Sequence, residues 1–256
     1  MRELDYQKLR LDIEHWIANY VNSTGADKIV MGLSGGIDSA VTAALCANAL
    51  GKSNTFAYAL PCDSIPKDLK DAQLIASNIG ISFEVIELTS MYDQFLKIIN
   101  LSSNKNAKAN LKPRLRMMTL YFLAQSMKNC LVAGTGNRAE LQIGYFTKYG
   151  DGGVDFEPLG MLYKNEVKKL ARILKIPELI IKKAPSPGLW KGQTDEGEIG
   201  VSYDIIDEIL YRIDYDLGFN GLEKSIVEKV NYMMKIAEHK LKVPPMYEIK
   251  ISNIIN

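Results

Sequence analysis

Three short apolar runs, each separated from the next by a stretch of helical length, constrain this chain most. "KIVMGLS" (28–34), "NTFAYALP" (54–61) and "SFEVIEL" (82–88) read as buried strands. Between the first two, "DSAVTAALCANAL" (38–50) is rich in alanine and leucine and stops at Gly51. Between the second and third, a helical stretch over about 66–79 stops at Gly80. Strand, helix, strand, helix, strand at this pace means βαβ units, hence an α/β fold with a parallel sheet and helices on both faces.

The rest of the chain continues the theme. Leu9, Ile13, Trp16, Ile17 and Tyr20 recur at helical spacing ahead of the first strand. Residues 91–99 read as a helix, "LSSNKNAKAN" (101–110) as a polar loop, "RLRMMTLYFLAQSMK" (114–128) as a long apolar helix and "CLVAGT" (130–135) as a fourth strand. "FTKYGDGGVDFEPLG" (146–160) is glycine-rich and ligand-shaped, and "YKNEVKKLARILK" (163–175) is an amphipathic helix. The stretch from Lys182 to Gly200 has no clear period, and a structureless loop of that length suggests function. Two helices over 202–238 and an extended tail complete the chain, which is expected to form a single domain over residues 1–256.

Composition excludes several classes. A formal net charge of +1 argues against a protein held on nucleic acid by a basic surface. Cys46, Cys62 and Cys130 form no CxxC pair, which suits a reducing compartment and supports neither disulfides nor a zinc site. His15 and His239 are too separated for a histidine metal site. The charged N-terminus is no signal peptide, and no run approaches the ~18 apolar residues of a membrane span. A cytoplasmic protein is expected.

The chemistry starts at "MGLSGGIDSA" (31–40), where the first strand meets the second helix. A glycine-rich turn there presents backbone N–H groups and a helix N-terminus to an anion. Ser34 and Ser39 add hydroxyls, and Gly35 and Gly36 leave room for phosphate oxygens. The loop is neither GxxxxGK[ST] nor GxGxxG. Asp38 is the odd element: a carboxylate inside an anion cradle makes sense as the holder of a divalent cation that bridges it to the phosphate, and its plainer reading as a helix cap does not exclude that role.

"SGGIDS" resembles the SGGxDS loop of the N-type ATP pyrophosphatases, which cleave ATP between the α- and β-phosphates and adenylate a substrate oxygen. That resemblance implies a Rossmann-like fold of the adenine nucleotide alpha hydrolase type. "GTGNRAELQIGYFTKYGDGGVDFEPLGMLYKNEV" (134–167), "PSPGLWKGQTDEGEIGVSYDIID" (185–207) and "EHKLKVPP" (238–245) are similar to the conserved blocks of the ammonia-dependent NAD synthetases, over about residues 10–250. Those enzymes use ATP to activate the carboxylate of deamido-NAD as an acyl-adenylate, which ammonia converts to NAD with release of AMP. One departure stands out: "ANLKPRLRM" has Ala109 and Pro113 where the family often has glycine and alanine, although Arg114 and Arg116 are kept.

Carried over residue by residue, the resemblance places ATP on Gly32, Leu33, Ser34, Gly35, Gly36, Ile37, Asp38, Ser39, Thr135, Lys164 and Ser186. It places Mg²⁺ on Asp38 and Glu140, and these two with Lys164 are the expected catalytic residues. Deamido-NAD is expected on Arg114, Lys148, Asp155, His239 and Lys240, with Phe146 and Tyr149 as candidates to flank the pyridine ring. Gly188, Gly192 and Gly197 would let the 182–200 loop order over ATP. The resemblance also implies a homodimer with the dinucleotide at its interface and free ammonia as nitrogen donor; charge and the lack of a long apolar run lead to the expectation of no nucleic-acid or membrane partner. Each residue also has a plainer reading: Glu140 as a solvated charge, Lys164 as a surface lysine, Thr135 as a strand-terminal hydroxyl. Enzymes that thiolate tRNA or form GMP share the loop, and a nucleotide sensor without turnover would share the frame.

Overall fold

The structure is a computed structural model that describes residues 2–64, 66–100, 104–186 and 194–249. Helix α1 (Tyr6–Ser23) is capped by Asp5, whose carboxylate accepts from the Gln7 and Lys8 amides at 3.0 and 3.1 Å. Strand β1 (Lys28–Gly32) follows, then α2 (Ile37–Leu50), β2 (Thr55–Ala59), α3 (Pro66–Ile79) and β3 (Ser82–Val85). Next come α4 (Thr89–Ile99), α5 (Lys105–Met127), β4 (Cys130–Val132), α6 (Arg138–Ile143), α7 (Lys164–Ile173) and α8 (Glu178–Ile181). Helices α9 (Asp195–Ile199), α10 (Tyr203–Asp214) and α11 (Lys224–Leu241) close the order.

All pairings are parallel, and the sheet runs β3-β2-β1-β4. β1 is central, and the strand order reverses between it and β4. In an open α/β sheet that reversal leaves a crevice at the carboxyl ends of the two strands. Strand period sorts the core. Ile29 and Met31 point to a cluster with Ile17, Val41, Leu45, Ile75 and Leu170, from α1, α2, α3 and α7. Val30 points the other way, to Tyr58, Leu115, Leu120 and Val132 under α5. A third cluster joins α6, α10 and α11 around Tyr163, Tyr203, Ile206 and Ile209.

Three sequence expectations change. The polar stretch 101–110 is helical from Lys105, because Asn104 caps it by accepting from the Ala107 amide at 2.8 Å. Its lysines and alanines are good helix formers whose side chains face solvent up to Lys108, so composition resembled a loop. Pro113 lies inside this helix and is buried, so the departure noted there falls within a helix and not in a loop. The third strand ends at Val85, although the Ile86 and Leu88 amides still donate to the Ala59 and Pro61 carbonyls of the β2 side. Within 182–200, residues 195–199 form α9, capped by the Thr194 hydroxyl, and Gly197 belongs to it; Gly188 and Gly192 lie outside the described residues. Among the described residues no helix is long and apolar enough to cross a membrane.

Candidate active site

The loop from Leu33 to Gly36 leaves β1 at the reversal point and enters α2, with Gly36 as N-cap and Asp38 in the first turn. Asp38 is therefore not the cap. Helix starts leave N–H groups without partners inside the helix, so the end of α2 opens toward the crevice with a positive dipole. The hydroxyls hold the loop's own shape: Ser39 Oγ donates to the Gly36 carbonyl at 3.0 Å and lies 3.1 Å from Ser34 Oγ, which accepts from the Gly36 amide at 3.2 Å. Gly35 has φ +78°, and a Cβ there would lie 2.4 Å from the Asp68 carbonyl oxygen. Its glycine is thus demanded by the approach of α3, a constraint the phosphate argument did not supply. At Gly36 a Cβ would meet only Ser34 Oγ, at 3.3 Å.

Across the crevice, the turn after β4 carries Thr135, half-buried, and then Asn137. Asn137 and Glu140 form a capping box for α6: the Glu140 amide donates to Asn137 Oδ1 at 3.1 Å, and Glu140 Oε2 accepts from the Asn137 amide at 3.2 Å. This spends one Glu140 oxygen on local structure and aims the other inward. Asn137 Nδ2 donates to Asp38 Oδ1 at 3.0 Å, tying the two walls together.

Lys164, the first residue of α7 and only 2% exposed, fills the space between them. Its Nζ donates to Asp38 Oδ2 at 2.6 Å and to Glu140 Oε1 at 3.3 Å, and sits 4.8 Å from the Tyr203 ring centre. The Tyr203 hydroxyl donates to Asp195 Oδ2 at 2.8 Å and lies 3.3 Å from Glu140 Oε1. Burial pulls the Lys164 ammonium down, but Asp38 and Glu140 together carry it above its ordinary value. Burial pushes Glu140 the other way, up to about 7, against the pull of Lys164. Burial likewise raises Asp195, and burial beside Glu140 and Asp195 raises the Tyr203 hydroxyl far above the phenol range.

One ammonium thus faces three carboxyl groups, and Asp195 Oδ1 is buried without a partner. Two converging carboxylates with spare acceptor capacity fit Mg²⁺, which binds one or two carboxylates and completes its shell with substrate phosphates and water. No gathering of three or more histidine, cysteine, aspartate or glutamate side chains able to hold a metal unaided occurs among the described residues. The donor set therefore suits a cation that arrives with its polyphosphate.

The second group of expected residues collects around the turn after α6. Lys148 Nζ donates to the His239 carbonyl at 2.5 Å, and Arg114 on α5 donates to the Lys148 carbonyl at 3.4 Å. Lys240 Nζ donates to the Gly144 and Phe146 carbonyls at 2.7 and 2.9 Å and lies over the Phe146 ring. Asp155 holds a stub of chain against β4: its carboxylate accepts from the Val132 amide at 2.7 Å and from the Tyr121 hydroxyl at 3.0 Å. Phe146, Asp155, Glu157 and Lys240 line a cavity of about 260 Å³. Burial raises the Glu157 carboxyl there to about 8 although it accepts from the Gly136 amide. Tyr149 is 55% exposed under Lys148. Ser186 is exposed at the edge of the described chain.

Asn137, Asp195 and Tyr203 were missed as site residues. Asn137 had a signal, since an asparagine three residues before a glutamate is a capping pattern. Asp195 and Tyr203 lay in a recognised block but had no spacing that aimed them at the crevice.

Known proteins share the sequence and the fold that carry these residues. An NH(3)-dependent NAD(+) synthetase of Archaeoglobus fulgidus is 43% identical over 249 residues, 96% of this chain and 99% of that protein. One from Thermococcus sibiricus is 41% identical over 251 residues, 95% of this chain and 98% of that protein. Among solved structures, an NMN synthetase from Francisella tularensis superposes with a TM-score of 0.89 at 35% identity, covering 96% of this chain and all of that one. An NH3-dependent NAD synthetase from Campylobacter jejuni gives 0.82 at 32%, with the same coverage. The sequence pattern of the NAD synthases matches residues 10–244, a span holding every element that builds the crevice, and the chain belongs to the NAD synthase family.

Proposed function

We propose that the protein is an ammonia-dependent NAD synthetase that amidates deamido-NAD to NAD, with ATP cleaved to AMP and pyrophosphate. The observation that carries this reading is the meeting of Asp38, Glu140 and Lys164 under a glycine loop at the strand reversal. A nicotinate carboxylate is a poor acceptor for ammonia because oxide would have to leave. Attack of its oxygen on the ATP α-phosphorus expels pyrophosphate and yields an acyl-adenylate; ammonia then attacks the acyl carbon, loses a proton, and AMP departs.

This chain's residues serve those steps as follows. The amides at the start of α2, with Gly32 to Ser39 shaping the turn, receive the departing phosphates. Lys164 is a fixed ammonium beside the charge that grows on them. Thr135, on the turn after β4, and Ser186, three residues beyond Lys183, would be ATP contacts. Asp38 and Glu140 would hold Mg²⁺, which when bound neutralises polyphosphate charge. Asp155 and Lys240 line the cavity beyond the crevice, Arg114, Lys148 and His239 are joined to one another beside it, and these five would receive the dinucleotide. Exposed Met118 and Phe122 on α5 and Trp16 on α1 support a homodimer. The chain works as one catalytic unit, because the third apolar cluster supplies Tyr203 to the crevice that the first two frame. A cytoplasmic, soluble setting accords with three unpaired thiols.

The test is product formation from ATP, Mg²⁺, ammonium and deamido-NAD, with AMP, pyrophosphate and NAD measured together. The mononucleotide acid is run in parallel, since the Francisella neighbour is named for a mononucleotide. AMP and NAD in equal amounts support the reading. ATP cleavage indifferent to deamido-NAD, or turnover of the mononucleotide in preference, removes it.

A further inference from the structure

Lys183 lies outside every role described so far. It follows α8 by two residues and precedes Ser186 by three. Its ammonium nonetheless reaches back to the phosphate loop: Nζ donates to the Gly35 carbonyl at 3.1 Å, to Asp68 Oδ1 at 2.8 Å and to Asp71 Oδ2 at 2.6 Å. Three acceptors match the three protons of an ammonium. The two carboxylates stand on the first turns of α3, the helix whose approach forces Gly35 to be glycine. The Gly35–Gly36 peptide is thereby held at both edges, its carbonyl by Lys183 and its amide by Ser34 Oγ. A peptide between two glycines is the easiest in the chain to rotate, and its plane sets where the following helix-start amides point.

We infer that Lys183 is a positioning residue for the triphosphate: it locks the plane of the Gly35–Gly36 peptide and ties the phosphate loop to α3 and to the chain that leads into Ser186. This rests on the reading that the 34–39 loop receives the ATP phosphates. The partners on α3 outweigh the partial burial of Lys183 and keep it charged. Because Lys183 stands beside the loop and is saturated by protein acceptors, it acts through the backbone and not by touching phosphate.

Two substitutions of opposite charge separate positioning from electrostatics. Lys183→Met removes a positive charge near the loop; Asp71→Asn removes a negative one but also loosens the ammonium. A role through charge alone predicts that ATP binds more weakly in the first and more tightly in the second. Positioning predicts the same direction in both: kcat/KM for ATP falls by up to about 100-fold, the scale of a misplacement of about 1 Å, while the KM for deamido-NAD stays within about twofold. Lys182→Met, whose side chain is exposed and among the described residues pairs with Glu178 alone, is the control and keeps wild-type values. Opposite signs, or ATP parameters unchanged in both variants while only the melting temperature drops, would overturn the inference. Direct binding of ATP and of pyrophosphate to each protein completes the test. If the wild-type protein binds neither, the phosphate-site reading has failed; if the wild-type protein binds both and the two variants bind them equally well, only the role of Lys183 has. Should Lys183→Met not fold, Asp71→Asn and Asp68→Asn, which keep the ammonium, carry the comparison.

Discussion

Replacing Lys164 by methionine tests the centre of the site. The change conserves volume, so its effect is electrostatic. At an effective dielectric of about 20, contacts of 2.6 and 3.3 Å are worth about 6 and 5 kcal/mol before desolvation. Burying the ammonium and crowding the carboxylates offset much of this. What remains on breaking a buried pair from one side is about 3–5 kcal/mol, because Asp38 and Glu140 are left facing each other uncompensated. For a chain of this size that lowers the melting temperature by about 6–20 °C. Thermal scans in chelator should show this loss, and Mg²⁺ should restore more stability to the variant than to the wild type, since a dication replaces the missing charge between the same oxygens. In NAD-formation assays kcat should fall about 100- to 1,000-fold. A variant that melts within about 2 °C of wild type and turns over within threefold would refute the claim that Lys164 compensates these carboxylates.

Other expectations follow from single contacts. Gly35→Ala should cost several kcal/mol, or block folding, because it combines a left-handed backbone with a clash against the Asp68 carbonyl, whereas Gly36→Ala should fold normally; urea unfolding of the pair decides it. Asp155→Ala should cost about 3 kcal/mol or more, since it strands the Val132 amide and the Tyr121 hydroxyl, and a variant as stable as wild type would assign the carboxylate to substrate alone. Burial raises Asp207 from 3.8 to about 6, so the native state binds more protons than the unfolded chain between those values and stability falls as pH rises through them. The full penalty is on the order of 3 kcal/mol, about half of it arriving between about pH 5 and 7.5. Asp207→Asn, which keeps an acceptor for the Asn165 amide, should flatten that slope in denaturant titrations at the two pH values.

The strand–helix alternation, the parallel sheet and the glycine loop were legible in the sequence because each is a local pattern: apolar runs, helical periods and stop signals act over a few residues. Family-like blocks added Glu140 and Lys164 to Asp38 and set the two carboxylates on one cation, without giving the contact of Lys164 with both. Local reading failed where polarity hid a helix, as at Lys105–Ala109, whose lysines are solvated and whose only signal was the Asn104 cap. Tertiary structure alone decided three things. It placed Glu140 and Lys164 against Asp38, from positions about a hundred residues downstream, because strand order reverses between β1 and β4. It made Gly35 a consequence of α3 packing. It brought Lys183 to the loop from 148 residues away. Charge pairing over such separations leaves no periodic trace in a sequence; it exists only once the sheet has set which loops share a crevice.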